Sequence, residues 1–326
     1  MREAWRQIAE ATHGTSRLRW VGIAFSALIV GAAATVLFHI LGTIKLENIT
    51  AALRSVRGDQ IALAALFSAG SYLSLTAYDF FALRTIGRSG IPYRVAAMAG
   101  FASYSIGHNL GASTLTCGIV RYHVYSEHGL GVVDVAKIGF VTGLTFWLGN
   151  ITVLGLCLSY DPAAASLLNQ LPPALNRALG SGLLAACFFY LIWVATGLRI
   201  VGRNNWKVAL PNGRLTLVQI AIGVFDLLCC ASAMYVLMPD IPISIVTLTI
   251  VFVSAMLLGY ASTAPGGIGV FDAAMLVALP QFAPESLIAR LLLFRLICYI
   301  APAMLALAML GVRQIWLARR PLFDVR

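Results

Sequence analysis

Charged residues are scarce in this sequence, and their scarcity excludes a soluble protein. Only 11% of the 326 residues are charged, 60% are hydrophobic and the mean hydropathy is +0.85. Soluble globular domains carry about 25% charged residues. Apolar runs long enough to cross a bilayer as helices, about 20 residues each, recur along the whole length. We therefore predict an all-α polytopic membrane protein in which residues 1–326 form a single transmembrane domain.

Sequence patterns that support metal, redox or nucleotide chemistry are also missing. The six cysteines lie within or at the edge of apolar segments and show no CxxC or Cys/His spacing, so we interpret them as small buried hydrophobic residues. His123 and His128 beside Glu127 do not have the spacing of zinc ligands. No nucleophile and base pair and no phosphate-binding loop is recognisable. We predict no catalytic residue, no metal and no cofactor.

Basic residues outnumber acidic ones, which gives a net charge of +10. In a membrane protein such an excess usually marks the cytoplasmic loops, so we predict no nucleic-acid partner. The basic N-terminus precedes an apolar run without a convincing cleavage site, and we expect it to be a retained first span. We predict a bacterial inner-membrane protein with both termini in the cytoplasm.

Six apolar runs have the length of full spans, and two further regions are interrupted by glycine and proline. The six runs are Val21–Gly42, Ile61–Leu83, Ile138–Leu158, Ser181–Leu198, Leu215–Leu237 and Leu287–Gly311. The interrupted regions are Ile91–Val120 and Ile243–Leu279. Between the first two runs, apolar residues from Leu46 to Val56 follow helical spacing. They predict a short helix on the outer membrane surface.

The distribution of Lys and Arg indicates how the interrupted regions lie. If each enters and returns on one side, most basic residues fall on the cytoplasmic side, whereas a single crossing of the first region would place most of them outside. The positive-inside rule therefore favours two re-entrant hairpins. On this prediction residues 21–158 and 181–311 repeat one order of elements from opposite sides. Such an inverted repeat places a site near the membrane midplane in many transporters.

The second interrupted region contains the sequence "TAPGGIGVFD". Irregular backbone at membrane depth must be buried in protein or line a wet cavity. We interpret Pro265, Gly266, Gly267 and Gly269 as a turn between two half-helices, the second of which presents free N–H groups suited to a phosphate or carboxylate. Close helix packing is the alternative explanation of these glycines. A lipid headgroup is the ligand that we expect here.

The first interrupted region has glycines and two polar residues, His108 and Asn109, at its presumed turn. Asn109 can donate to a phosphate, and Arg121 at the end of the region can bind one through two N–H groups. For Arg121 an ordinary cytoplasmic anchor is an equal alternative. His108 is either a proton carrier or a hydrogen-bonded turn residue, and we favour the latter.

Four ionisable residues lie within apolar segments, where a charge is costly unless it is paired or hydrated. They are Asp79, Asp226, Asp272 and Arg295. We predict that Arg295 pairs with Asp272, because their elements are adjacent in sequence, and this pair has either a functional or a purely structural role. Asp79, His108 and Asp226 then remain candidates for a proton or polar relay.

Three stretches resemble a known family: "PGGIGVFD", "LLLFRLICYIAP" and, upstream, "SIGHNLGASTLTCGIVRYHVYSEHGL". Their order and spacing are similar to those of the transmembrane flippase domain of bacterial lysylphosphatidylglycerol synthases and its stand-alone relatives. The positions that match are Asn109, Gly111, Gly118, Arg121, Tyr122, Pro265, Gly266, Gly267, Gly269, Phe271, Arg295 and Pro302.

The resemblance implies a flippase that moves an aminoacylated or related phospholipid from the inner to the outer leaflet. It implies headgroup contacts by the residues Asn109, Arg121, Tyr122, Gly266, Gly267, Gly269, Asp272 and Arg295. Asp272 stands where the family usually has Glu. The sequence shows no aminoacyl-transfer domain after the membrane part, so we expect it not to make lysyl-lipid. Polyprenyl-linked and hopanoid lipids stay open as cargo.

Two other functions stay open. A membrane-embedded transferase would use Asp79, His108 or Asp272 as an acid or base and would change the lipid chemically. A scaffold subunit of envelope assembly would tolerate loss of the intramembrane charges if it folded. Apart from a lipid, the partners that we consider are a second copy of the chain and an envelope protein.

Overall fold

The computed structural model describes residues 46–110, 113–203, 206–238 and 243–318. These residues form the helices α1 (Leu46–Arg54), α2 (Gly58–Thr85), α3 (Tyr93–Leu110), α4 (Ser113–Tyr125), α5 (Val132–Tyr160), α6 (Pro162–Asn169), α7 (Pro173–Ala195), α8 (Gly213–Val236), α9 (Ile245–Ala261), α10 (Val270–Ala278), α11 (Pro284–Arg295) and α12 (Ala301–Ala318). Short 3₁₀ turns occupy Ser126–His128 and Pro265–Gly267, and a π-helical segment, Leu296–Ile300, joins α11 to α12.

Five helices are long and apolar enough to cross a membrane. They are α2, α5, α7, α8 and the continuous helix Pro284–Trp316. They coincide with five of the six runs predicted as spans, and the sixth, Val21–Gly42, lies outside the described residues. The prediction of an all-α polytopic membrane protein is confirmed.

The spans pack through small residues. α2 lies along α8, and α5 contacts both α7 and α8. Gly149 of α5 and Gly223 of α8 meet backbone to backbone, since a Cβ built on Gly149 would lie 2.8 Å from the carbonyl carbon of Gly223. Membrane helices commonly use small residues for such close approach, because apolar side chains gain little by leaving lipid.

Each interrupted region is a hairpin, as predicted. α3 packs against α4, and Arg88, which precedes α3, donates to Asp134, which follows α4, at 2.9 Å. In the second hairpin α9 packs against α10, and Arg290, which follows α10, donates to the carbonyl of Leu237, which precedes α9, at 2.8 Å. Both regions therefore return to the end of the molecule from which they started. Which end faces the cytoplasm stays a prediction.

The two hairpins enter from opposite ends and meet at their tips. Gln60 in the first turn of α2 donates to the carbonyl of Val236 at the end of α8, so α2 begins where α8 ends. α10 has nine residues and α4 has thirteen, which correspond to about 14 and 20 Å. Neither crosses a hydrocarbon core of about 30 Å by itself. The equivalence of the two halves as an inverted repeat stays a prediction.

A short helix and a pair of strands lie outside the spans. The predicted helix near Leu46 is present as α1 and packs on α11. An antiparallel pair of strands that the sequence analysis missed, β1 (Ile200–Arg203) and β2 (Trp206–Ala209), joins α7 to α8. Trp206 meets the ring of Phe140 edge-on at 5.4 Å, which ties this connection to α5.

Candidate functional site

The hairpin tips meet beside a cavity of about 290 Å³. Its wall is formed mainly by the end of α3, the start of α4, the end of α9 and the glycine turn. The lining residues are Gly107, His108, Thr114, Leu115, Met256, Gly259, Tyr260, Thr263, Ala264, Gly266, Gly267, Phe271 and Tyr299. Leu115 lines the cavity and is 71% exposed. It shares the outer face of α4 with Ile119 and Tyr122, which are also exposed. The cavity therefore opens beside an apolar outer surface.

The turn between α9 and α10 depends on left-handed backbone. Thr263, Gly266, Gly267 and Gly269 have φ values of 56°, 59°, 60° and 83°. This conformation is sterically unfavourable for residues with a Cβ, whereas glycine adopts it readily. A Cβ on Gly267 would also lie 3.3 Å from Cα of Gly259, so the turn packs tightly against α9.

Asp272 has two roles at the start of α10. Its Oδ2 accepts from the backbone N–H of Gly269 at 2.9 Å, in the manner of an N-terminal capping residue. The same carboxylate accepts from Nε and Nη2 of Arg295 at 3.1 and 2.9 Å. The predicted pair of Arg295 with Asp272 is present. Neither side chain is fully buried, since 13% of Arg295 and 17% of Asp272 are exposed.

Arg295 also holds the glycine turn. Its Nη1 donates to the carbonyl of Gly266 at 3.0 Å. A guanidinium has five N–H groups, and these three bonds leave two of them without a partner among the described residues. The group lies between the rings of Phe271 and Tyr299, 5.7 and 5.8 Å from their centroids. Both rings line the cavity, so Arg295 stands directly behind its wall.

His108 and Asn109 join the first hairpin to this arrangement. Tyr260 Oη and His108 Nε2 are 3.1 Å apart, and the His108 carbonyl faces Gly266, where an added Cβ would lie 3.4 Å away. Asn109 Nδ2 donates to the carbonyls of Ser105 and Tyr299. The amide N–H groups predicted to reach a phosphate are thus engaged by backbone, and Gly111 lies outside the described residues.

The π-helical segment offers three successive carbonyls to its neighbours. Ser68 and Tyr72 of α2 donate to Ile297 and Cys298, and Asn109 of α3 donates to Tyr299. A π turn interrupts the regular i to i−4 bonding of a helix. Side chains from two other helices therefore satisfy backbone groups directly after Arg295.

The structure places Arg121 away from the cavity, in a closed ion pair with Asp79. Nε lies 3.1 and 3.0 Å from the two carboxylate oxygens, and Nη2 lies 2.7 Å from Oδ1. Tyr125 Oη donates to Oδ2 at 2.9 Å, and Tyr104 lies under the guanidinium at 4.9 Å. Asp79 is 0% and Arg121 is 3% exposed. Contact of Arg121 with a headgroup stays a prediction that requires this pair to open.

Asp226 lies at mid-depth in α8 and is 8% exposed. Its Oδ1 accepts from the hydroxyl of Ser71 on α2. It faces a second, smaller cavity of about 50 Å³. Asp226 therefore has no direct contact with the pair formed by Asp272 and Arg295.

Several site residues have no distinctive sequence signal. Tyr260 and Tyr299 frame both cavities, and Met256 lies on the same wall. In the sequence they look like packing residues of apolar helices. Arg290, near the start of the last apolar run, is buried and donates to the carbonyl of Leu237 at the C-terminal end of α8.

No family model matches the chain. It is 26% identical over 319 residues to an uncharacterised protein of Synechocystis sp., covering 97% of this chain and 96% of that protein. It is 28% identical over 241 residues to the inner membrane protein YbhN of Escherichia coli, covering 73% of this chain and 74% of YbhN.

A third similarity is local. Over 128 residues the chain is 30% identical to phosphatidylglycerol lysyltransferase of Staphylococcus epidermidis, which covers 38% of this chain and 14% of that enzyme. The resemblance inferred from the sequence motifs thus has a counterpart, at low identity and over part of the chain. The protein is a multi-pass membrane protein with distant relatives among inner membrane proteins and lysyltransferases.

Proposed function

We propose that this protein is a lipid translocase that moves an anionic phospholipid or related lipid between the leaflets of the bacterial inner membrane. The observation that carries the proposal is the partly exposed pair of Arg295 and Asp272 behind the wall of the cavity at the hairpin tips. An arginine at membrane depth normally serves a ligand or a pathway. Here Arg295 is hydrogen-bonded to the glycine turn, whose left-handed backbone is unfavourable for residues other than glycine.

The headgroup phosphate is the group that Arg295 recognises. The two N–H groups left by Asp272 and Gly266 suit an acceptor with more than one oxygen. Asp272 neutralises Arg295, and the free N–H groups in the first turn of α10 add a partial positive charge. A phosphate that displaces Asp272 from Arg295 exchanges one acceptor for another, so the arginine stays paired throughout.

The acyl chains stay in lipid while the headgroup crosses. The cavity opens beside the apolar outer face of α4, where Leu115 and Ile119 are exposed. The two hairpins enter from opposite ends, and their tips share one wall. Small movements of either tip expose the headgroup to one side or the other, as in transporters whose site lies between two halves.

The comparisons support a lipid substrate. The name phosphatidylglycerol lysyltransferase states that this relative acts on a phospholipid, and the local similarity makes phosphatidylglycerol or a derivative the first cargo to test. YbhN supports the inner membrane as the location.

The test is leaflet-resolved movement of short-chain fluorescent phosphatidylglycerol in proteoliposomes that contain matched amounts of folded protein. We expect wild type to move the lipid, and Arg295→Gln and Asp272→Asn to lose this activity. The matched control is Arg88→Gln, which removes an Arg from a peripheral pair with Asp134 and should keep wild-type rates.

Other outcomes identify the competing functions. Movement that Arg295→Gln leaves unchanged would refute the assigned site. A change in lipid mass on mass spectrometry would replace the translocase with a transferase. No movement of phospholipid or polyprenyl-linked lipid by folded wild type would favour a scaffold role.

A further inference from the structure

Asp226 differs from the other two carboxylates that lie deep in the described spans. Asp79 and Asp272 each bind an arginine through two oxygens. Among the described residues no cationic side chain acts on Asp226, whose carboxylate accepts from the hydroxyl of Ser71 and interacts with that of Ser74. An ionised carboxylate at this depth without a compensating charge is costly. Asp226 therefore needs a mobile cation or a proton.

The groups that face Asp226 are hydroxyls, phenols and thiols. α2 contributes Ser71, Ser74 and Tyr78, α8 contributes Cys229 and Cys230, and α9 contributes Tyr260. Cys298 of the π segment and His108 of α3 line the same small cavity. His108 is the one histidine in the lining of this cavity, and an imidazole can accept a proton at one ring nitrogen and donate one from the other.

The small cavity adjoins the larger one. Met256, Tyr260, His108 and Tyr299 line both. Tyr260 and His108 are hydrogen-bonded to each other at 3.1 Å. This hydrogen-bonded pair thus borders both the cavity that Asp226 faces and the cavity assigned to the headgroup.

We propose that Asp226 is a proton-binding site that couples lipid movement to the transmembrane proton gradient, with His108 and Tyr260 as the proton path to the headgroup cavity. The coupling rests on the proposed translocase function, whereas the proton site itself does not. The carboxylate takes a proton from one side through this path and releases it to the other as the hairpin tips move. No bond other than O–H and N–H forms or breaks.

A proton fits this site better than a metal cation. Hard cations take several oxygen ligands at once. The lining of the small cavity has one carboxylate, that of Asp226, and its other side-chain oxygens are neutral serine and tyrosine hydroxyls. Much of the wall is apolar, including Leu75, Phe146 and Leu227. One proton is enough to neutralise the carboxylate of Asp226. A neighbouring hydroxyl can hydrogen-bond to the carboxyl group in both its charged and its neutral form.

The first experiment measures protonation without any lipid transport. Infrared difference spectroscopy of purified protein detects the C=O stretch of a protonated carboxyl group, which shifts on deuteration. At pH 7 we expect this band in wild type and in Asp134→Asn, which removes a surface carboxylate, and its loss in Asp226→Asn. Absence of the band in wild type, or its persistence in Asp226→Asn, would overturn the proton site. Absence of the band in wild type overturns the proton site even where a variant fails to fold.

The second experiment imposes a pH gradient on proteoliposomes whose membrane potential is held at zero with potassium and an ionophore. With one proton per lipid, a gradient of 1 pH unit should shift the leaflet ratio of fluorescent phosphatidylglycerol up to about tenfold, by linkage. Asp226→Asn should give a ratio of about one at every gradient.

The outcomes separate the two proposals. Equal leaflet distribution in wild type at every gradient would overturn coupling while leaving the translocase intact. A shift that needs Na⁺ and disappears in choline buffer would replace the proton with a metal cation and overturn the inference. No lipid movement at all would refute the translocase and the coupling together, and the infrared band would still decide whether Asp226 binds a proton.

Discussion

The ion pair of Asp79 with Arg121 provides a quantitative test of which arginine acts on lipid. Three hydrogen bonds from Arg121 and one from Tyr125 end on the Asp79 carboxylate, and solvent reaches almost none of this cluster. Removing one partner of a buried pair leaves an uncompensated charge, which costs about 3–5 kcal/mol. We expect Arg121→Met and Asp79→Leu each to lower the free energy of unfolding by this amount.

Replacing the whole cluster should restore most of the stability. Apolar residues of similar volume in place of both charges are often neutral or stabilising. Tyr125 would then lack its acceptor, a loss of about 1–3 kcal/mol, so the test variant is Asp79→Leu/Arg121→Met/Tyr125→Phe. We expect its free energy of unfolding to lie within about 1 kcal/mol of wild type.

The assay is equilibrium unfolding in mixed micelles, followed by transport of fluorescent phosphatidylglycerol with the same preparations. Single substitutions that cost less than about 1 kcal/mol, or a triple variant as unstable as the singles, would refute the assignment of a buried structural pair. A stable triple variant that transports lipid would show that Arg121 is not a headgroup ligand. A stable triple variant without transport would restore the role predicted from the sequence.

Gly223→Ala should lower the free energy of unfolding by about 1–3 kcal/mol, because its Cβ would lie 2.9 Å from the backbone of α5. Gly139→Ala in α5 should raise it by up to about 1 kcal/mol, since nothing lies within 4 Å of the new Cβ. If denaturation in micelles showed that both substitutions change the free energy of unfolding in the same direction, the packing argument would be contradicted. Gly267→Ala should cost about 1–2 kcal/mol at its positive φ and slow transport, and an unchanged rate would show that the turn tolerates rearrangement. Asn109→Leu leaves the Tyr299 carbonyl without its donor, so we expect a loss of about 1–3 kcal/mol in the same denaturation assay.

Much of the fold was predictable because hydropathy and charge are local properties of consecutive residues, and they decide which segments enter the membrane. The apolar runs from Ile61 to Gly311 coincide with the long helices, and glycine and proline mark both hairpins. The strands at Ile200–Arg203 and Trp206–Ala209 were missed because four residues in an interfacial loop carry too little pattern. The π segment was missed because its cause lies in partners such as Tyr72, more than 200 residues away in sequence.

The candidate site was predictable only in part. Asp272 and Arg295 were paired correctly, since the chain between them is short and leaves few alternatives. Arg121 had the same sequence signature as a cytoplasmic anchor, and its partner Asp79 becomes evident only when α2 and α4 are placed side by side. Short-range pairs can be assigned from spacing, whereas long-range pairs depend on which helices are neighbours.

The π segment lets one helix serve both hairpins. Arg295 and Ala306 are eleven residues apart, so in a regular α-helix they would lie about 20° apart, on the same face. The extra residue of a π turn changes this separation to about 80°. Arg295 therefore faces α10 of the second hairpin, and Ala306 packs against Ala102 and Ile106 of the first. Insertion or deletion of one residue between Arg295 and Ala306 would turn the two contacts relative to each other by about 100°, whereas an exchange of one apolar residue for another would not.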